Sequence, residues 1–87
     1  MVKNFNELTT DELYILIGKN VAQLRKKANL SQLELSLEMG NKSTSLVSSA
    51  EIYKNKRKFN IAQLHKIANI LNIDFCDFFK DIKTKKD

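Results

Sequence analysis

The chain has no proline or tryptophan, only two glycines and a single cysteine in its 87 residues. Good helix formers predominate, so local propensity favours helices over strands, and the length suits one domain. The single Cys76 excludes an internal disulfide, as in proteins of a reducing compartment. The apolar run LYILIG at 13–18 is too short to span a bilayer and follows no basic leader. These absences predict a single all-α, cytoplasmic domain that does not enter a membrane.

The formal net charge of +5 is concentrated in one part of the chain. Residues 1–53 contain six basic and six acidic residues, whereas residues 54–87 contain nine and four. The densest cluster is KNKRK at 54–58, and a weaker one, KTKK, lies near the end. A lysine-rich composition explains scattered cations but not this clustering. The distribution therefore indicates a local surface for an anionic partner.

Capping signals and apolar spacing predict about five helices. The first runs from about Thr10 to Ala28 behind a Thr9–Glu12 capping box, and the second begins at a Ser31–Glu34 capping box and stops at Gly40. Three more helices are predicted: a short one with Ser43 as its N-cap, a long one with Asn60 as its N-cap, and a short one capped by Asp74. In the long one we expect the inner face to be Ile61, Leu64, Ile67, Ala68 and Leu71, and the core to be closed by Phe75, Phe78 and Phe79.

The third predicted helix has an unusual composition. Val47 and Ala50 are three residues apart and are expected to face inward, so its hydroxyl-bearing residues face outward together. Short hydroxyl side chains allow a close approach and both donate and accept hydrogen bonds, which suits the base edges of a major groove. The alternative is a mobile polar connection. The order of the elements (capped helix, glycine turn, polar helix, basic loop, apolar helix) favours the groove-binding interpretation.

From about Ile17 to Phe79 the sequence resembles the lambda-repressor-like helix-turn-helix regulators, the Cro/C1 type of the XRE family. The resemblance rests on IGKNVAQLRKKANLSQLEL, on Val47-x-x-Ala50-Glu51, and on NIAQLHKIANILNIDFCDFF. It implies a helix-turn-helix domain at 13–79, with an N-terminal extension at 1–12 and a basic tail at 80–87. It also implies a transcriptional regulator of the repressor type, without cofactor or metal, that binds double-stranded DNA as a homodimer on a palindromic operator.

The resemblance also assigns roles to residues. Arg25 and Glu51 correspond to an ion pair between the first and third helices. The base-reading residues would be Thr44, Ser45, Ser48 and Ser49. The phosphate-binding residues would be Gln32, Lys42, Ser43, Lys54, Lys56, Arg57 and Lys58.

One departure from the family pattern affects specificity. The predicted outer face of the third helix carries no Arg, Gln or Asn, so the strong bidentate contacts to guanine or adenine are absent. Discrimination by hydroxyls should be modest, with part of the specificity coming from DNA shape.

Two other classes of function compete with DNA binding. Catalysis has little support, because His65 has no neighbour at a ligand or triad spacing and Cys76, among phenylalanines, is expected to be buried. The stronger rival is a protein-interaction module, such as an antitoxin or an adaptor. Apolar residues beyond the needs of one core would form its surface: Tyr14, Ile15, Leu33 and Leu37. The alternative is that these residues belong to the core and are covered by the N-terminal extension.

Overall fold

The computed structural model describes residues 7–80, which form an all-α domain without strands, as predicted. Short 3-10 helices span Lys54–Lys56 and Phe75–Phe79. The α-helices are α1 (Thr10–Lys27), α2 (Gln32–Glu38), α3 (Ser45–Glu51) and α4 (Ile61–Leu71). No helix in this part of the chain is long and apolar enough to cross a membrane. Residues 1–6 of the predicted N-terminal extension and all of the basic tail beyond Lys80 lie outside the described residues.

Capping boxes begin α1, α2 and α4. In each, the N-cap side chain accepts from the N3 backbone N–H while the N3 side chain accepts from the N-cap N–H. The pairs are Thr9–Glu12, Ser31–Glu34 and Asn60–Gln63. The three predicted N-caps are therefore confirmed.

The start of α3 differs from the prediction. Its N-cap is Thr44 rather than Ser43, and the Thr44 side chain makes no capping hydrogen bond. The Ser43 hydroxyl lies 3.4 Å from the backbone N of Ser45 and 3.0 Å from the Ser45 hydroxyl. Ser43 therefore caps only loosely, and α3 begins without the anchor that fixes the other three helices.

The helices end in Schellman motifs although the chain has few glycines. Asn29, Gly40 and Asn72 adopt the left-handed conformation after α1, α2 and α4, with φ of 63°, 89° and 56°. The 6→1 hydrogen bonds that define the motif are 2.9 to 3.1 Å long: Leu30 N to Arg25 O, Asn41 N to Ser36 O, and Ile73 N to Ala68 O. Asparagine tolerates this conformation better than most residues, so it takes the role of glycine at two of the three ends.

The core lies between the four α-helices and the C-terminal 3-10 helix. On α2, Leu35 and Met39 are buried while Leu33 and Leu37 are 47% and 57% exposed, so the alternating leucines divide between core and surface. The buried apolar residues are Ile17, Val21, Leu35, Met39, Val47, Ala50, Phe59, Leu64, Ile67, Ala68 and Phe78.

Gly18 sets the distance between α1 and α3. A Cβ atom at this position would lie 2.5 Å from the Ala50 carbonyl oxygen and 2.8 Å from that of Glu51. No larger residue fits without moving backbone, so the glycine lets the C-terminal end of α3 rest against α1.

Several predictions for residues 61–79 were wrong. Ile61 is 68% exposed rather than part of the inner face of α4, and Cys76 is exposed rather than buried. The last element is a 3-10 helix, and Asp74 makes no side-chain capping bond. Of the phenylalanines predicted to close the core, Phe78 is fully buried, whereas Phe75 and Phe79 pack against its edge. His65 is exposed, as predicted.

Buried Asn20 fixes the C-terminal 3-10 helix against α1. Its side-chain amide donates to the carbonyls of Phe78 and Lys80, at 2.8 and 3.0 Å. These two hydrogen bonds satisfy a buried polar group and hold Phe78 in the core.

Candidate nucleic-acid interface

The outward face of α3 is built from residues spaced by helical turns. Val47 and Ala50 are buried at 0% and 1% exposure, as predicted. On the opposite side Ser45 is exposed, and Ser48 and Ser49 are half-buried. Half-buried Thr44 stands just before the first turn. The structure thus places the four residues expected to contact bases at or beside one face of α3.

The hydroxyls on this face make few hydrogen bonds to the rest of the described protein, and the bond of Ser48 is long. The Ser48 hydroxyl donates to the Ser45 carbonyl at 3.4 Å, and the Ser45 hydroxyl lies 3.0 Å from that of Ser43. A bond of 3.4 Å is long for a hydroxyl donor and is easily exchanged for a better acceptor. The face can therefore present both donors and acceptors to another surface.

Ile52, which sequence analysis left without a role, extends the same face. Successive helical residues are about 100° apart, so Ser45, Ser48, Ser49 and Ile52 project within an arc of about 100°. Ile52 is 70% exposed. Its position two turns after Ser45 was a signal available in the sequence. We refer to these four residues as the outer face of α3.

Buried Glu51 joins the three helices of the motif. Arg25 donates from Nε to Glu51 Oε2 at 2.7 Å and from Nη2 to Glu51 Oε1 at 3.0 Å. Its third nitrogen, Nη1, donates to the Leu30 carbonyl at 2.8 Å. Both side chains are almost fully buried, at 7% and 3% exposure. A bidentate pair in this setting fixes both the distance and the orientation of α1 relative to α3.

Gln32, expected to hold a phosphate, belongs to the same network. Its Nε2 donates to Glu51 Oε1 at 2.9 Å. The side chain is half-buried at the first residue of α2, directly after the Ser31 N-cap. In the free protein its amide therefore links α2 to α3.

A basic loop follows α3 directly. Lys54, Lys56, Arg57 and Lys58 are all exposed. The backbone reverses through left-handed conformations at Tyr53, Asn55 and Lys56, with φ of 57°, 54° and 60°. Lys42 is also exposed and lies in the turn before α3. The cations thus flank α3 along the chain, one before it and four after it.

A tyrosine cluster attaches this loop to α1; we use the term for Asp11, Tyr14, Tyr53 and Lys58. The Tyr53 hydroxyl donates to Asp11 Oδ1 at 2.5 Å, and the rings of Tyr14 and Tyr53 stack at a centroid distance of 5.9 Å. Lys58 Nζ lies 5.0 Å from the centre of the Tyr14 ring, within cation–π range. The hydrogen bond to Asp11 raises the pKa of Tyr53 to about 12.

The sequence did not reveal this cluster, because Tyr14 was counted among the apolar residues beyond the needs of one core. Asp11 and Tyr53 are 42 residues apart, and no local pattern pairs them. Among residues 7–80 there is no group of three or more His, Cys, Asp or Glu side chains that could hold a metal ion.

Comparison with known proteins agrees with this geometry. A family model described as Helix-turn-helix matches residues 21–78, about two thirds of the chain. The match includes α2, α3, the basic loop and α4. No curated protein matches the chain.

Proposed function

The chain belongs to the Cro/C1-type helix-turn-helix family of DNA-binding regulators, and from this premise we propose that it is a non-enzymatic transcriptional repressor of the cytoplasm. It would bind a palindromic operator as a homodimer. The observation that carries the proposal is α3 itself: one side of the helix is buried in the core, the other side presents hydroxyls, and four exposed cations follow it.

Phosphate contacts would supply most of the affinity. We assign them to the exposed cations Lys42, Lys54, Lys56, Arg57 and Lys58, together with Gln32 and Ser43. Each neutralised phosphate contributes about −0.9 to the slope of log affinity against log salt, so the five cations together give roughly −4.5 per protomer. The left-handed turns of the loop, held by the tyrosine cluster, would keep the cations beside α3.

Base recognition would come from Thr44, Ser45, Ser48 and Ser49. Hydroxyls make single hydrogen bonds, so each discriminates less than a bidentate Arg–guanine or Gln–adenine contact. Part of the preference would then reflect how easily the DNA adopts the bound shape.

A dimer follows from the size of the site. One short helix covers only a few base pairs, and two protomers related by a two-fold axis would read half-sites about 34 Å apart or a multiple of that distance. Selection of bound sequences from a random DNA pool tests this directly. A recovered palindrome supports the proposal, and a pool without enrichment contradicts it.

Substitutions separate the two kinds of contact. Thr44→Ala and Ser49→Ala should change the preference among sequences, whereas Lys56→Ala and Arg57→Ala should weaken binding to all sequences and reduce the salt slope by about 1 each. Lys80→Ala, outside α3 and the basic loop, is the matched control for loss of a positive charge. An equal loss on every sequence from all four variants would contradict base reading by α3.

The second candidate is a protein-interaction module, an antitoxin or adaptor. It is favoured by the exposed apolar side chains Ile15, Leu33 and Leu37, which are 49%, 47% and 57% exposed. Contact through such residues would show little salt dependence. A salt slope near zero, together with no enriched DNA site, would support this candidate over the first.

A further inference from the structure

Ile52 is an exposed apolar residue at the C-terminal end of a polar face. At 70% exposure it is the most exposed of the large apolar side chains in residues 7–80. Single exposed apolar residues are common on protein surfaces and by themselves indicate nothing. What distinguishes Ile52 is the direction of its side chain. Viewed down the axis of α3, at about 100° per residue, Ile52 projects at an angle between those of Ser45 and Ser48.

The residues on both sides of Ile52 fix that direction. Glu51 is held by Arg25 and Gln32, and its carbonyl lies against Gly18. Tyr53 is held by Asp11 and stacks on Tyr14. The Ile52 N–H closes the last turn of α3 on the Ser49 and Ala50 carbonyls. With both neighbours anchored, the Ile52 side chain cannot turn into the core.

The chemistry of the groove selects one partner for such a side chain. In the major groove each base edge offers hydrogen-bond donors or acceptors, and thymine alone adds an apolar group, its C5 methyl. An isoleucine placed against donors and acceptors would leave them unsatisfied, which is costly. Against the methyl group it buries apolar surface from both sides.

We propose that Ile52 packs against the methyl group of a thymine in each half-site and is a specificity-determining residue. This inference rests on the proposed function. Ile52 lies two turns beyond Ser45, about 10 Å along α3, and base pairs are stacked about 3.4 Å apart. Because a helix lying in the major groove is inclined to the DNA axis, the thymine is at most about three base pairs from the base that Ser45 contacts.

Uracil substitution tests the contact, because uracil differs from thymine only by the missing methyl. The full chain is titrated with the selected operator and with versions in which each thymine in turn is replaced by uracil. Burial of one methyl group is worth about 0.8 kcal/mol, so the loss at one position per half-site should be about 4-fold. Ile52→Ala should bind the thymine and uracil versions of that position equally well.

A matched control is available at Ile61. Its side chain is 68% exposed, but it begins α4 and lies off the outer face of α3. Ile61→Ala should keep the 4-fold preference for thymine that Ile52→Ala loses. Both positions are exposed, so neither variant should unfold, and circular dichroism checks this.

Three results would overturn the inference alone. The first is tight operator binding with no loss at any uracil, and the second is a thymine preference that persists unchanged in Ile52→Ala. The third concerns the control variant. If the preference disappears equally in Ile61→Ala, the contact is not made by Ile52. Absence of any operator would instead overturn the proposed function and this inference with it.

Discussion

Removal of the Glu51 carboxylate should strand a buried charge at the junction of three helices. Glu51→Ala deletes the acceptor of three hydrogen bonds, two from Arg25 at 2.7 and 3.0 Å and one from Gln32 at 2.9 Å. The Arg25 guanidinium keeps its bond to the Leu30 carbonyl but remains 7% exposed without a counter-charge. Breaking a buried pair in this way costs roughly 3 to 5 kcal/mol.

That loss is large compared with the stability of the whole domain. A chain of this length is stable by about 4 to 13 kcal/mol, and a loss of 3 to 5 kcal/mol lowers Tm by roughly 12 to 40 °C. Urea unfolding followed by far-UV circular dichroism measures it as a lower midpoint at unchanged m. The double variant Arg25→Met/Glu51→Leu removes both charges and should recover much of the loss, because no unpaired charge stays buried.

The exposed pair of Lys80 and Asp77 provides the control. Lys80 Nζ lies 3.3 Å from Asp77 Oδ1, but the Lys80 side chain is 71% exposed. Lys80→Ala should therefore lower the free energy of unfolding by less than about 1 kcal/mol. The reasoning is refuted if Glu51→Ala costs no more than Lys80→Ala. It is also refuted if the double variant is as unstable as the sum of its single substitutions.

Two further predictions concern how α3 and its loop are held. Gly18→Ala would place a methyl group 2.5 Å from the Ala50 carbonyl, so α3 must shift; we expect a lower Tm and weaker operator binding, and a variant that matches the wild type in both would contradict the contact. Tyr53→Phe keeps the ring stack but removes the bond to Asp11. We expect an unchanged Tm with weaker DNA binding and a shallower salt slope, and an unaltered slope would show that the tyrosine cluster does not position the loop.

Three of the four helix starts could be predicted because their causes are local. The capping boxes at Thr9, Ser31 and Asn60 join residues three positions apart, so the sequence contains both partners side by side. The helical period likewise predicted that Val47 and Ala50 face the core while the serines face outward. Each of these features needs only one turn of helix.

The errors occur where distant parts of the chain decide the outcome. Ile61 has the spacing of an inner-face residue but is exposed, because only the later turns of α4 are covered by other elements. Cys76 lies among phenylalanines, yet the 3-10 helix turns Phe78 inward and Cys76 outward. The tyrosine cluster and the bonds of Asn20 to Phe78 and Lys80 span 42 to 60 residues.

The two ends of α3 are held to different degrees, and this bears on how the outer face works. At the C-terminal end, Glu51 is bound to Arg25 and Gln32, and its carbonyl rests on Gly18. At the N-terminal end, Thr44 makes no capping bond. Substitutions near Glu51 must therefore change stability and DNA binding together. We expect those at Thr44 to alter sequence preference at little cost in stability, because no capping bond depends on that side chain's hydroxyl.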